Sequence, residues 1–178
     1  MSANFPDWLP GPISFNGEWT AFIRTLYAVF ETDIKRGSPR FRGRPVWYNR
    51  RLEADDPHRF EEGFWHLVTR DQWVHDSKTN RKIKERLPDL DRAARLPWVK
   101  PIIDHEAAPD VVAFDFEDET RKGAVIRTYL WLRNWDYVVI FEKQPKAKGD
   151  IYMLVTSFLV DIPAKRTDLQ SRYDRRLK

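Results

Sequence analysis

The chain has 178 residues, no cysteine, a net charge of +4, and 33% charged residues alongside 14% aromatic ones. The missing cysteines exclude disulfides and any Cys-based zinc or iron–sulfur centre. The eight Trp, six Tyr and eleven Phe supply enough apolar surface for one packed core, despite a charge content that alone would suggest disorder.

Residues 1–15, rich in Pro and aromatics, read as an irregular arm without the basic-then-apolar pattern of a signal peptide. No apolar run approaches the roughly 20 residues that span a bilayer. The expectation is a single cytoplasmic domain over 1–178, with an arm and helix at 1–55 and the main body at 56–178. Residues 18–36 predict a helix. Trp19, Phe22, Ile23, Leu26, Tyr27, Phe30 and Ile34 recur at helical spacing, Asn16 caps the start and Gly37 stops it. A basic connector (38–45) and an extended segment (46–52) follow.

Residues 56–70 carry helix-start signals: Asp56, Pro57 and the early acids Glu61 and Glu62. The charged stretch 71–87 reads as an exposed loop with some helix. A short helix at 89–96 is closed by Pro97, and 98–105 continues with a break at Pro101. Residues 111–116 predict a strand followed by an acidic turn at 117–120. Three further strands are expected at about 124–132, 137–143 and 151–158. Their short connections imply antiparallel pairing. Pro163 opens a basic terminal segment. The expected fold is α+β: N-terminal helices packed on a four-stranded antiparallel β-meander, with a C-terminal helix.

No phosphate-binding Gly-rich loop, nucleophile elbow, dinucleotide fingerprint or HExxH motif occurs, so no cofactor and no metal site is indicated. His66 lies among aromatics with Arg70 one turn on. It reads either as a general acid or base or as a packed, hydrogen-bonded histidine. Arg127, Tyr129 and Trp131 share one face of a strand by period-two alternation. Arg binds phosphate, Tyr donates a proton and Trp stacks on a base; the competing reading is a buried sheet face. Of Thr156 and Ser157, alternation lets only one face such a site. Arg clusters at 36–51, 81–95 and 165–178 suit either polyanion binding or solvated basic faces.

The segments GFWHLVTR, RAARLPWVKPIIDH, RTYLWL, DYVVIFE and IYMLVTSF, in that order, resemble the phage- and toxin-associated branch of the barnase–EndoU–colicin–RelE superfamily of metal-independent ribonucleases. The likeness covers about residues 56–176. It implies a toxin-like endoribonuclease that cleaves RNA by attack of the ribose 2′-hydroxyl on the adjacent phosphorus, with a neutralising antitoxin or immunity-like partner. On this resemblance His66, Arg127, Tyr129 and Thr156 are the catalytic set, and Arg70, Arg95, Trp131, Lys143 and Arg172 are the RNA-binding set. The sequence departs from the pattern in having no second histidine in the sheet. A non-catalytic RNA- or protein-binding module of phage or mobile-element origin is the alternative.

Overall fold

The computed structural model describes residues 5–178; residues 1–4 of the expected arm lie outside the described residues. Helix α1 (Trp19–Phe30) is capped by Glu18, whose carboxylate accepts from the Thr20 and Ala21 N–H groups. Asn16 in turn accepts from the Glu18 N–H. Phe22, Ile23, Leu26 and Phe30 form the buried stripe. The helix runs on as a π-helical stretch, Glu31–Arg36, and stops at Gly37, where a Cβ would collide with the Asp33 carbonyl.

After strands β1 (Arg40–Phe41) and β2 (Arg44–Tyr48), helix α2 (Glu62–Val68) is shorter than the sequence suggests. Asp56 accepts from the His58 and Phe60 N–H groups and from Trp65 Nε1, so the start signals build a capped turn instead. Thr69 then leaves the helix as the first residue of β3 (Thr69–Asp76), which pairs with β4 (Arg81–Pro88) in an antiparallel ribbon. The expected loop at 71–87 is therefore a hairpin. Its apolar side chains Trp73 and Ile83 are exposed, and cross-strand pairs such as Lys84–Asp71 (2.5 Å) hold it. A ribbon with no buried face leaves no hydrophobic period in the sequence.

Helices α3 (Leu90–Ala94) and α4 (Val99–Asp104) flank a 3₁₀ turn at Leu96–Trp98. Strands β5 (Val111–Thr120), β6 (Gly123–Leu132), β7 (Tyr137–Gln144) and β8 (Ile151–Leu159) precede helix α5 (Pro163–Asp174). Those four strands pair antiparallel in chain order. The expected four-stranded antiparallel meander is nevertheless overturned. They belong to a six-stranded mixed sheet, ordered β1-β2-β8-β7-β6-β5, which curls into a half-barrel. β2 runs parallel to β8, with Trp47 opposite Met153. Short connections impose antiparallel pairing only on sequential neighbours, and β2 is joined to β8 through most of the chain. β2 also covers an edge of β8 that would otherwise be unpaired.

Both faces of the sheet are covered. Leu130, Leu132, Val139, Phe141 and Leu154 pack with α1–α4 in the larger core. Phe114, Tyr129, Trp131, Val138 and Ile140 pack with Leu169 of α5 in a smaller one. The curl brings the two ends of the strand order together. Arg42, just past β1, reaches Asp115 of β5 at 3.1 Å, and Lys143 and Thr128 bond the same carboxylate. Among the described residues no helix is long and apolar enough to cross a membrane.

Candidate functional site

A cavity of about 280 Å³ opens between the sheet and α5. Strand alternation places its floor. Tyr129 of β6 pairs with Phe114 of β5 and Ile140 of β7, and Ile140 pairs with Thr156 of β8, so all four project to the α5 side. Arg127 lies one pleat further along the same face, opposite Phe116. Arg92 enters from α3, and Lys165, Asp168 and Arg172 descend from α5.

One buried carboxylate orders this wall. Asp118, 7% exposed, accepts from the Tyr129 hydroxyl and from Arg172 Nη1, and lies 3.8 Å from Arg127 Nη1. Arg172 also donates to Tyr129 Oη at 3.1 Å and, through Nε, to Asp168 at 2.9 Å. Burial pushes the Tyr129 phenol up to about 12, against the opposing charge of Arg127, so it is protonated and acts as a donor at neutral pH. Burial, and then the charge of Arg175, draws Arg172 below the usual guanidinium range.

Arg92 braces the other end of the cavity. It donates to the carbonyl of Thr69 at 2.6 Å, and its Nη1 lies 3.4 Å from both the His66 carbonyl and Thr156 Oγ1. Its Nε is 3.6 Å from Asp89, an ion pair too long for a hydrogen bond. Burial lowers its pKa. The Nε–H groups of Arg92 and Arg127 are buried without a hydrogen-bond partner. Four cations, Arg92, Arg127, Lys165 and Arg172, thus surround a small space with the carboxylate of Asp168, while Asp118 lies buried behind the wall.

The structure gathers Arg127, Tyr129, Thr156 and Arg172 in this cavity. It keeps the other expected residues apart from it. His66 contributes its carbonyl, which accepts from Thr156 Oγ1 at 2.9 Å. Its imidazole is half-buried beside the ribbon; burial lowers its pKa, as does the charge of Arg86. Trp131 shares the sheet face but is 1% exposed beneath α5. Lys143 projects from the opposite face onto Asp115 at 2.9 Å. Arg95 caps α3, bonds the Asp91 carbonyl and lies over Trp98. Arg70 sits exposed at the base of the ribbon.

Sequence reasoning missed Asp118, Arg92, Lys165 and Asp168. Asp118 was legible in principle: the alternation Phe114, Phe116, Asp118 continues one strand face through what reads as an acidic turn. Arg92 carried no such signal, because α3 places it over the sheet only after folding. Ser157 lies on the other face, where the buried Tyr137 hydroxyl bonds it at 2.8 Å, so Thr156 is the hydroxyl of the pair that faces the cavity.

No family model, curated protein or solved structure matches the chain.

Proposed function

We propose that the chain is a toxin-like endoribonuclease of the cytoplasm, which holds an RNA phosphodiester in the cationic cavity and cleaves it by metal-independent transesterification. The observation that carries this reading is the convergence of Arg127, Tyr129, Thr156 and Arg172 in one cavity with two further cations. Arginine forks suit a phosphoryl group, and buried N–H donors without partners are the kind of group that an oxyanion satisfies.

The chemistry divides among the wall residues. The 2′-oxygen forms a bond to phosphorus as its proton passes to the carboxylate of Asp168, which lines the cavity and accepts from Arg172 Nε. Arg127, Arg172 and Arg92 face the developing charge on the phosphoryl oxygens. The bond from phosphorus to the 5′-oxygen breaks, and the phenol of Tyr129, which donates its proton to Asp118 in the free protein, turns that proton to the departing oxygen. The products are a 2′,3′-cyclic phosphate and a 5′-hydroxyl. A neutralising partner with an acidic face would suit the cations of the cavity.

A second reading, a non-catalytic RNA-binding module, is favoured by the placement of the His66 imidazole beside the ribbon rather than in the cavity. Incubation with single-stranded RNA in excess EDTA separates the two. Cleavage to cyclic-phosphate ends, lost in Arg127→Ala and on substrates with a 2′-deoxy group, supports the enzyme. Salt-dependent binding without cleavage supports the module. Neither binding nor cleavage sinks both.

A further inference from the structure

A second basic pocket lies on the same face of the sheet. About 400 Å³ in volume, it is walled by Arg44, Trp47, Lys146, Lys148 and Asp150, where the β7–β8 loop meets the start of β2. Trp47 is 42% exposed, between the buried Val46 and Tyr48. The Arg50 guanidinium lies 5.5 Å from the Trp47 ring centre. The pocket carboxylate, Asp150, is turned to Lys143 at 3.4 Å, outside the pocket wall. Gly149, at φ +106°, lets the loop close on the Arg44 guanidinium, which occupies the space a Cβ would take.

The strand register connects this pocket to the cavity. Trp47 pairs with Met153, Met153 with Glu142, and Glu142 with Arg127. Paired residues project to the same side of a sheet, so these four form one row across β2, β8, β7 and β6. Three strand spacings separate its ends, about 14 Å along the sheet. α5 roofs the cavity end of the face, with no residue in the Trp47 pocket.

We propose that Trp47 and the cations around it form a nucleotide subsite that stacks a base of the RNA strand whose phosphate occupies the cavity. The inference rests on the function proposed above and names its substrate more closely: an extended single strand, contacted a few nucleotides from the bound phosphate. An exposed indole ringed by Arg44, Arg50, Lys146 and Lys148 supplies what sequence-tolerant single-strand binding uses, a π-face and phosphate counter-charges. Glu142, in the middle of the row, repels a phosphate. The strand therefore crosses it with bases rather than backbone toward the sheet. A duplex, with its bases stacked inside, offers none for Trp47.

The test is binding of fluorescein-labelled 2′-O-methyl RNA, which cannot undergo the cleavage reaction, from a dinucleotide to an octanucleotide, measured by anisotropy. Affinity is expected to climb with length. Trp47→Ala should weaken the octanucleotide about tenfold and leave the dinucleotide unchanged. Trp47→Phe, which keeps a ring, should retain most of the gain. Lys146→Gln with Lys148→Gln should flatten the salt dependence for the long probe only. Glu142→Gln should tighten it. If Trp47→Ala matches wild type at every length while Arg127→Ala loses binding, the subsite is wrong and the cavity reading stands. If Arg127→Ala leaves every length unaffected, the cavity reading fails and takes the shared-strand proposal with it.

Discussion

The guanidinium of Arg172 and the carboxylate of Asp118 form an ion pair that fastens the C-terminal helix to β5 beside the cavity. α5 has one buried residue, Leu169, so polar contacts carry much of its attachment. Arg172 to Tyr129, Arg133 to Gln170 and Arg166 to Asp136 are further ones. Asp118→Ala removes the partner of both Arg172 and the Tyr129 hydroxyl, and should destabilise the fold by about 2–4 kcal/mol. Asp118→Asn, which keeps an acceptor, should cost about half of that. Urea titration checks this as a lowered midpoint at unchanged slope.

Arg127 offers a cleaner probe of function than Asp118. Its ion pair with Asp118 is long, at 3.8 Å, and a third of its side chain is exposed. Arg127→Ala should therefore change stability by less than about 1 kcal/mol, yet lower RNA cleavage about 10²–10³-fold, as expected for a lost oxyanion donor. Arg127→Lys should recover only part of the rate, because an ammonium lacks the planar fork.

His66 is expected to be dispensable for chemistry. His66→Gln should leave the cleavage rate within a few-fold of wild type, because the backbone carbonyl that Thr156 bonds is retained. Its effect belongs to stability. Burial, and next the charge of Arg86, lowers its pKa. A folded value below the ordinary ~6.5 means that protonation favours the unfolded chain. The contribution is complete above about pH 6.5 and is lost as pH falls through the folded value. His66→Gln should thus lessen the loss of stability below about pH 6.5. A catalytic limb that disappears in this variant would instead restore His66 as the base.

Asp115 should dominate a separate acid transition. Burial pushes its carboxyl up, but hydrogen bonds from Thr128 and Lys143 and the charge of Arg42 outweigh that and hold it below the usual range. Its contribution is full above the unfolded value of about 3.9 and is lost as pH falls through the folded one. Asp115→Asn should lower stability at neutral pH by about 1–3 kcal/mol, and its curve should converge on that of wild type below about pH 4. Parallel curves down to the acid limit would show that the edge-bridging ion pairs contribute nothing.

The amino-acid sequence by itself determined the elements that carry β-rich runs or an apolar stripe at helical spacing. Strands β6, β7 and β8 lie where the period-two runs predict, and α1 follows its apolar stripe and its Gly37 stop. Local pattern also put Arg127 and Tyr129 on one face, because a strand's geometry leaves no other choice. Trp47, between two buried neighbours, obeys the same rule.

Tertiary structure decided what local pattern does not encode. The β3–β4 ribbon buries no face, so no hydrophobic period announces it. The parallel pairing of β2 with β8 depends on burial of Val46 and Tyr48 against strands more than a hundred residues away. The same folding turned the helix-borne His66 toward the ribbon while α3 brought Arg92 over the sheet. α5 then laid Arg172 on Asp118. Alternation fixes which way each strand residue points. Only the packing of one element on another fixes which of those residues meet, and the cavity is made of such meetings.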